Sequence, residues 1–160
     1  MNAVSNHILP KCLIFMFLGT YSVKLFPDRR VAVPAPFRHD LGETFIIAKW
    51  YEGCLVLVSE ERWSALLKRL TGSQAIIITP IRDTERFIFG SAYEVKPDDQ
   101  GRMIIPERLS DYAGLGEEIC FIGLGDRIEI WGKESWEEKE KTIGRDSAEY
   151  IEELARNEKR

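Results

Sequence analysis

The chain has 160 residues, 44% hydrophobic and 30% charged, with a formal net charge of −4. Such a chain can build one compact domain, or two small halves around a shared core, and its composition excludes disordered and fibrous classes. Its acidity argues against a uniformly basic nucleic-acid binder, so any basic surface must be local.

Residues 1–15 carry Lys11 ahead of the apolar run Cys12 to Leu18, a faint likeness to a secretion signal. No small-residue cleavage site follows, and the segment reads as an extension ahead of a start at Met16. A short strand is predicted over 20–25, then a polar turn over 26–29 and a second strand over 31–33 that runs into Pro34. After a short polar segment, two apolar strands are predicted over 44–49 and 54–58, joined at Gly53. Ser59 reads as the N-cap of a helix whose Trp63, Leu66, Leu67 and Leu70 recur at helical spacing. Residues 71–89 form a connector. Within it Ile76, Ile77 and Ile78 suggest a strand, and Thr79-Pro80 opens a helix towards Phe89.

From Ala92 the pattern starts again. Strands are predicted over 92–96, 103–105, 118–122 and 127–131, with turns at 97–101 and at Gly123 and Gly125. Trp136 leads a charged helix. A second helix is predicted from Asp146, where Glu149 completes a capping-box spacing and Tyr150, Ile151 and Leu154 make an apolar stripe.

The recurrence is a true internal repeat. A shift of 72 residues, Arg30 to Arg102, also lays Tyr21, Val23, Lys24 and Pro34 on Tyr93, Val95, Lys96 and Pro106. A shift of 74 lays Leu41, Gly42 and Glu43 on Leu115, Gly116 and Glu117, and a shift of 73 lays Leu55, Leu57 and Trp63 on Ile128, Ile130 and Trp136. Strands this short cannot form a stable sheet alone, but two halves that interleave their hairpins would close a small barrel and hide its edges. The fold expected is therefore mainly β with flanking helices: a first half over 16–70 and a second over 90–160.

The repeated arginines carry the functional reading. Arg30 and Arg102 each follow a tight turn, with Lys24 and Lys96 matched on the preceding strands, so two related cationic turns should share one face. Arg29 and Arg38 add charge in the first half alone. In the second turn, Asp98 and Gly101 frame Arg102, and Gly101 can adopt positive φ without steric cost. A guanidinium suits guanine or phosphate because its planar fork donates two hydrogen bonds. Other chemistry has little support. The glycines of 114–116 and 123–125 precede strands rather than a helix, so they are turn glycines rather than a phosphate loop. The histidines are His7 and His39 only, and there is no HExxH pair, which leaves zinc and Ser-His-Asp schemes little to work with. No metal, cofactor, small-molecule substrate or catalytic residue is expected. Trp63 and Trp136, with their helices, are expected in core packing or in subunit contacts rather than in ligand stacking, with an oligomer interface favoured.

At these residues, from Met16 to about Leu154, the sequence resembles the MraZ family, whose halves belong to the AbrB-like swapped-hairpin class. The opening MFLG of 16–19 and the second-half run DDQGRMIIP of 98–106 carry the resemblance, as does RVAVP of 30–34. The first half departs from the pattern: Phe26 stands where the family has Asp, and Arg29 where it has Gly. The resemblance implies a cytoplasmic, nucleoid-associated regulator assembled in rings. It implies binding to direct repeats of double-stranded DNA upstream of the division and cell-wall gene cluster, with Arg30 and Arg102 as contacts. Competing readings are an AbrB-type antitoxin-like module with a protein partner, or a structural ring that makes no DNA contact.

Overall fold

A computed structural model of the chain describes residues 16–72 and 78–158. Residues 1–15, with His7 and Cys12, and the predicted strand residues Ile76 and Ile77 lie outside the described residues. Eight strands and five α-helices are described in order: β1 (Phe17–Lys24), β2 (Arg30–Ala32), α1 (Ala35–Leu41), β3 (Phe45–Lys49), β4 (Leu55–Ser59), α2 (Glu60–Thr71), α3 (Thr79–Phe89), β5 (Tyr93–Val95), β6 (Arg102–Ile104), α4 (Glu107–Tyr112), β7 (Glu118–Gly125), β8 (Ile128–Gly132) and α5 (Lys133–Asn157).

The strands form an antiparallel sheet ordered β1-β7-β8-β4-β3-β5 and a separate two-stranded ribbon, β2-β6. The halves are exchanged. β1 pairs along its whole length with β7 of the second half, and β5 pairs with β3 of the first. Two pairings show how the duplication is arranged. In the ribbon, Val31 faces Met103, its own counterpart at a shift of 72. In the sheet, Val56 of β4 faces Glu129 of β8, its counterpart at a shift of 73. A pseudo-twofold axis therefore passes between both pairs, and related residues fall on the same side of the molecule. The barrel-like enclosure is completed by the ribbon, not by a continuous ladder.

The alternation of each strand divides its side chains between two cores. Phe17, Val31, Met103, Leu55, Leu57, Ile119, Phe121, Ile128 and Ile130 meet between sheet and ribbon. Phe37 of α1 seals this core with edge-on contacts to Phe17 and Tyr21 at 5.8 and 5.1 Å. On the other face, Trp50, Cys54, Val56, Val58, Cys120 and Trp131 are covered by Leu66, Leu67 and Ile88 of α2 and α3. Burial, then the Glu129 and Glu52 carboxylates, push the Cys54 thiol well up; it is a packed thiol, held protonated. Cys54 and Cys120 are both free and buried.

Several expectations are corrected. Helix α5 is continuous from Lys133 to Asn157, so no new helix begins at Asp146. Gly144 lowers helix propensity by ~1 kcal/mol but no chain break accompanies it, and the Asp146 carboxylate accepts from Arg145 at 2.7 and 3.1 Å rather than capping. Ser59 occupies the N-cap position of α2 without a side-chain capping bond. The polar segments after Pro34 and Pro106 are short helices; Phe37 and Leu41, buried at i and i+4 in α1, were the signal for the first. Of the glycines expected at the turn after β7, Gly125 stands in it, with φ 81° and the Leu124 N–H bonded to the Arg127 carbonyl at 2.9 Å, whereas Gly123 lies within β7 and faces Gly19 of β1. Trp63 and Trp136 pack within the chain: Trp63 meets Phe89 edge-on at 5.7 Å, and Trp136 lies 5.8 Å from Trp131. Ile143, Tyr150, Ile151 and Leu154 in the far part of α5 are exposed.

Candidate nucleic-acid interface

The site is the ribbon and the two turns that lead into it. In an antiparallel pair, opposed residues share a face and alternate residues return to it. Arg30 faces Ile104 and Ala32 faces Arg102; these four share one side, while Val31 and Met103 enter the core between them. Both arginines are accordingly half-exposed, 42% for the Arg30 side chain and 38% for Arg102. Hydrogen bonds beyond the strands lengthen the ribbon symmetrically, from Val33 N–H to the Gly101 carbonyl and from Ile105 N–H to the Arg29 carbonyl, each 3.0 Å. A groove of about 460 Å³ runs alongside, lined by Arg30, Lys96, Asp98, Arg102, Ile104 and their neighbours.

The second turn is tightly organised. One Asp98 carboxylate oxygen accepts from the backbone N–H groups of Gln100 and Arg102, both at 2.9 Å. The other accepts from Arg102 Nε at 2.8 Å. The backbone N–H of Arg102, then its side chain and the N–H of Gln100, hold the Asp98 carboxyl below its ordinary range. Since a depressed carboxylate pKa favours the charged form, this clamp is intact above the ordinary range and lost as pH falls through the depressed value. The Arg102 Nε–H should therefore exchange more slowly than in Asp98→Ala at neutral pH, and the difference between the two proteins should vanish in acid; equal exchange in the two at neutral pH would dismiss the clamp.

The first turn keeps its geometry by other means. Phe26 N–H bonds the Arg30 carbonyl at 3.0 Å, as Asp98 N–H bonds that of Arg102 at 2.9 Å. With Phe26 in the place of Asp98, the carboxylate comes instead from Asp28. It accepts from the Arg30 backbone N–H at 3.1 Å and stands 3.8 Å from Arg30 Nε. Arg30 is thus held more loosely than Arg102. Arg29 occupies the place of Gly101 and takes the same left-handed conformation, φ 63° against 72°, at a cost of roughly 1–2 kcal/mol for a side-chain-bearing residue.

The pseudo-symmetry explains why this is tolerated. Arg38 donates from Nε to the Val33 carbonyl at 2.7 Å, with its guanidinium lying over Gly101. At the related position across the axis, Ser110 replaces Arg38 and the Ile105 carbonyl would lack that donor. Arg29 Nε supplies it, at 3.1 Å. A Cβ at Gly101 would come within 2.4 Å of Arg38 Nε, whereas at residue 29 no such arginine stands in the way. Gly101→Ala should therefore destabilise by about 1–3 kcal/mol through strain and overpacking. Arg38→Ala should relieve part of that cost, giving a non-additive double-mutant cycle in urea. Strict additivity would dismiss the contact.

Lys24 and Lys96 are both exposed. Lys24 places its ammonium 5.4 Å from the centre of the Phe26 ring. The turn segments differ in charge: Lys24 to Arg30 holds three cations and one carboxylate, Lys96 to Arg102 two of each. The acidity of the chain is concentrated elsewhere, with eight acidic and five basic residues on α5. Among the described residues, no group of three or more His, Cys, Asp or Glu is placed to hold a metal ion, and no helix is long and apolar enough to cross a membrane.

The sequence model of the family described as "MraZ protein, putative antitoxin-like" matches residues 16–76 and 88–158. The chain belongs to the MraZ family. The two matched stretches are the two halves whose strands are exchanged above. Among MraZ relatives, "Transcriptional regulator MraZ" of Acetivibrio thermocellus is 41% identical over 122 residues, 76% of this chain and 85% of that protein. The protein of the same name from Clostridium beijerinckii is 41% identical over 123 residues, 77% of this chain and 86% of the relative. That of Caldanaerobacter subterraneus is 34% identical over 139 residues, covering 87% of this chain and 96% of the relative. These MraZ proteins are named as regulators, not as enzymes.

Proposed function

We propose that the chain is a sequence-specific DNA-binding transcriptional regulator, acting on the nucleoid in the cytoplasm. It represses from direct repeats upstream of the division and cell-wall gene cluster, its own promoter included. One observation carries this reading: in a chain whose relatives are named transcriptional regulators, Arg30 and Arg102 occupy the same exposed face of a two-stranded ribbon. A ribbon of that kind fits the major groove of B-DNA, where an arginine fork pairs with guanine O6 and N7. Lys24, Lys96, Arg29 and Arg38 surround it and supply phosphate attraction, with the Nε of Arg29 and Arg38 spent on the backbone. An electrophoretic shift assay with DNA from upstream of the gene encoding this chain tests the reading. A retarded species that survives competition by scrambled DNA is expected; equal competition by scrambled and native duplex would overturn sequence specificity.

The same reading includes a ring of many subunits. The exposed residues Ile143, Tyr150, Ile151 and Leu154 lie on one stripe of a helix roughly 37 Å long, at 1.5 Å per residue. A stripe like this is what a helix presents to a neighbouring subunit. A ring also strengthens weak individual contacts by about 10²–10⁴ where repeat spacing fits subunit spacing. Light scattering should show a species many times 18.4 kDa, and Ile151→Asp with Leu154→Asp should reduce it towards the monomer without unfolding. A wild-type monomer at micromolar concentration would remove the ring from the proposal.

A further inference from the structure

We infer that the two turns read unlike base pairs, and that Phe26 is a specificity residue of the first turn that contacts a thymine methyl group. The inference rests on the DNA-binding reading above and adds a residue to it. Asp98 and Phe26 are counterparts and make the same backbone bond to the arginine four residues on. At the second turn, the side chain at this place is a carboxylate turned back onto Arg102. At the first turn it is an aromatic ring, 48% exposed, which makes no aromatic contact with another ring among the described residues and enters neither core.

Three consequences follow from that exchange. The first turn loses a carboxylate and carries net positive charge from Lys24 to Arg30, while the second is balanced. Arg30 is left with Asp28 at 3.8 Å, so its guanidinium is freer to move to a phosphate than Arg102, which is fixed at 2.8 Å. An apolar ring also stands at the tip of the segment that leads into the ribbon, with the Lys24 ammonium on it. In the major groove, the one apolar feature at a base edge is the thymine C5-methyl. A ring carrying an ammonium can cover that methyl while the charge stays beside the phosphates, a cation–π arrangement. A carboxylate there would be repelled by the backbone. The first turn is thus built to recognise thymine, and the second to recognise guanine through a pre-set arginine.

The test uses duplex DNA from upstream of the gene encoding this chain, made once with thymidine and once with deoxyuridine, which lacks only the methyl. Affinities are measured by fluorescence anisotropy for the wild type, Phe26→Ala and Phe26→Leu. The wild type should bind the deoxyuridine duplex about fourfold or more weakly, the loss of ~0.8 kcal/mol for one buried methyl-sized group. Phe26→Ala should bind both duplexes alike, and Phe26→Leu should keep part of the preference. If the wild type binds the two duplexes equally while still rejecting scrambled DNA, the inference is overturned and the DNA reading stands. An undiminished preference in Phe26→Ala also overturns it. Failure of the wild type to prefer the native duplex over scrambled DNA overturns the DNA reading and the inference together.

Discussion

An Arg30→Ala, Arg102→Ala double variant should lose most of its discrimination between native and scrambled upstream DNA while keeping its fold and assembly. Each arginine that pairs with a base is worth about 1–3 kcal/mol of discrimination, so the double variant should approach the affinity of non-specific binding. Neither side chain enters the core, and the residues between them, Val31 and Met103, keep the ribbon in place. The single variants should differ. Arg102 is clamped by Asp98 at 2.8 Å, so Arg102→Ala should chiefly relax sequence preference. Arg30 sits in the turn with excess positive charge, so Arg30→Ala should chiefly reduce the salt dependence, as Lys24→Ala or Lys96→Ala should for all sequences alike. A salt titration on both duplexes separates these outcomes. Unchanged affinity and specificity in a folded double variant would remove the ribbon from the site.

For stability, the most damaging small change in the sheet should be at Gly123. A Cβ there would lie 2.5 Å from the carbonyl carbon of Phe17 and 2.6 Å from the amide nitrogen of Leu18, both backbone atoms of β1. Backbone cannot swing aside as a flexible side chain can, so β1 must move off β7 or the sheet must distort. Gly123→Val should cost about 3 kcal/mol, the upper end of ordinary overpacking, and should expose β1 to proteolysis. Gly116→Ala is the control, since nothing lies within 4 Å of a Cβ built there. Equal urea midpoints for the two variants would dismiss the close approach.

The repeat made the architecture legible in the sequence. Once Arg30 was matched to Arg102 and Leu55 to Ile128, eight strands in two exchanged halves followed, and the observed strands differ from the expected ones mostly at their ends. The errors have physical causes. The short helices after Pro34 and Pro106 hold only seven and six residues, too few for a periodic pattern to stand out. Helix α5 carries Gly144 and a capping-box spacing at Asp146, local signals for a break that continuous hydrogen bonding overrides. Trp63 and Trp136 belong to a second core on the outer face of the sheet, which periodicity alone could not distinguish from a surface awaiting a partner. At the site, the repeat located both arginines. It could not show that Asp28 takes over from the missing Asp, nor that Arg29 can replace glycine because Ser110 stands where Arg38 stands in the other half. The second depends on a contact between halves, 76 residues apart; the first is a local contact of Asp28 with Arg30, at a place the repeat alignment fills with Gln100 rather than an acid.

The exchange of strands also sets a timetable for synthesis. Phe17 at the start of β1 lies opposite Gly125, and Lys24 opposite Glu118. While the ribosome makes the first half, β1 has no partner, and β3 and β4 can form only an isolated hairpin with one strand still missing on each side. A sheet dominated by such distant pairings folds slowly, and its unpaired edges are prone to aggregate in the interval. The nascent chain must therefore remain open until β7 and β8 emerge, and then close both halves in one step around the axis. Chaperone capture should be concentrated in that interval, and truncated products that end before Gly125 should be unfolded and quickly degraded, so that only finished chains reach the regulator pool.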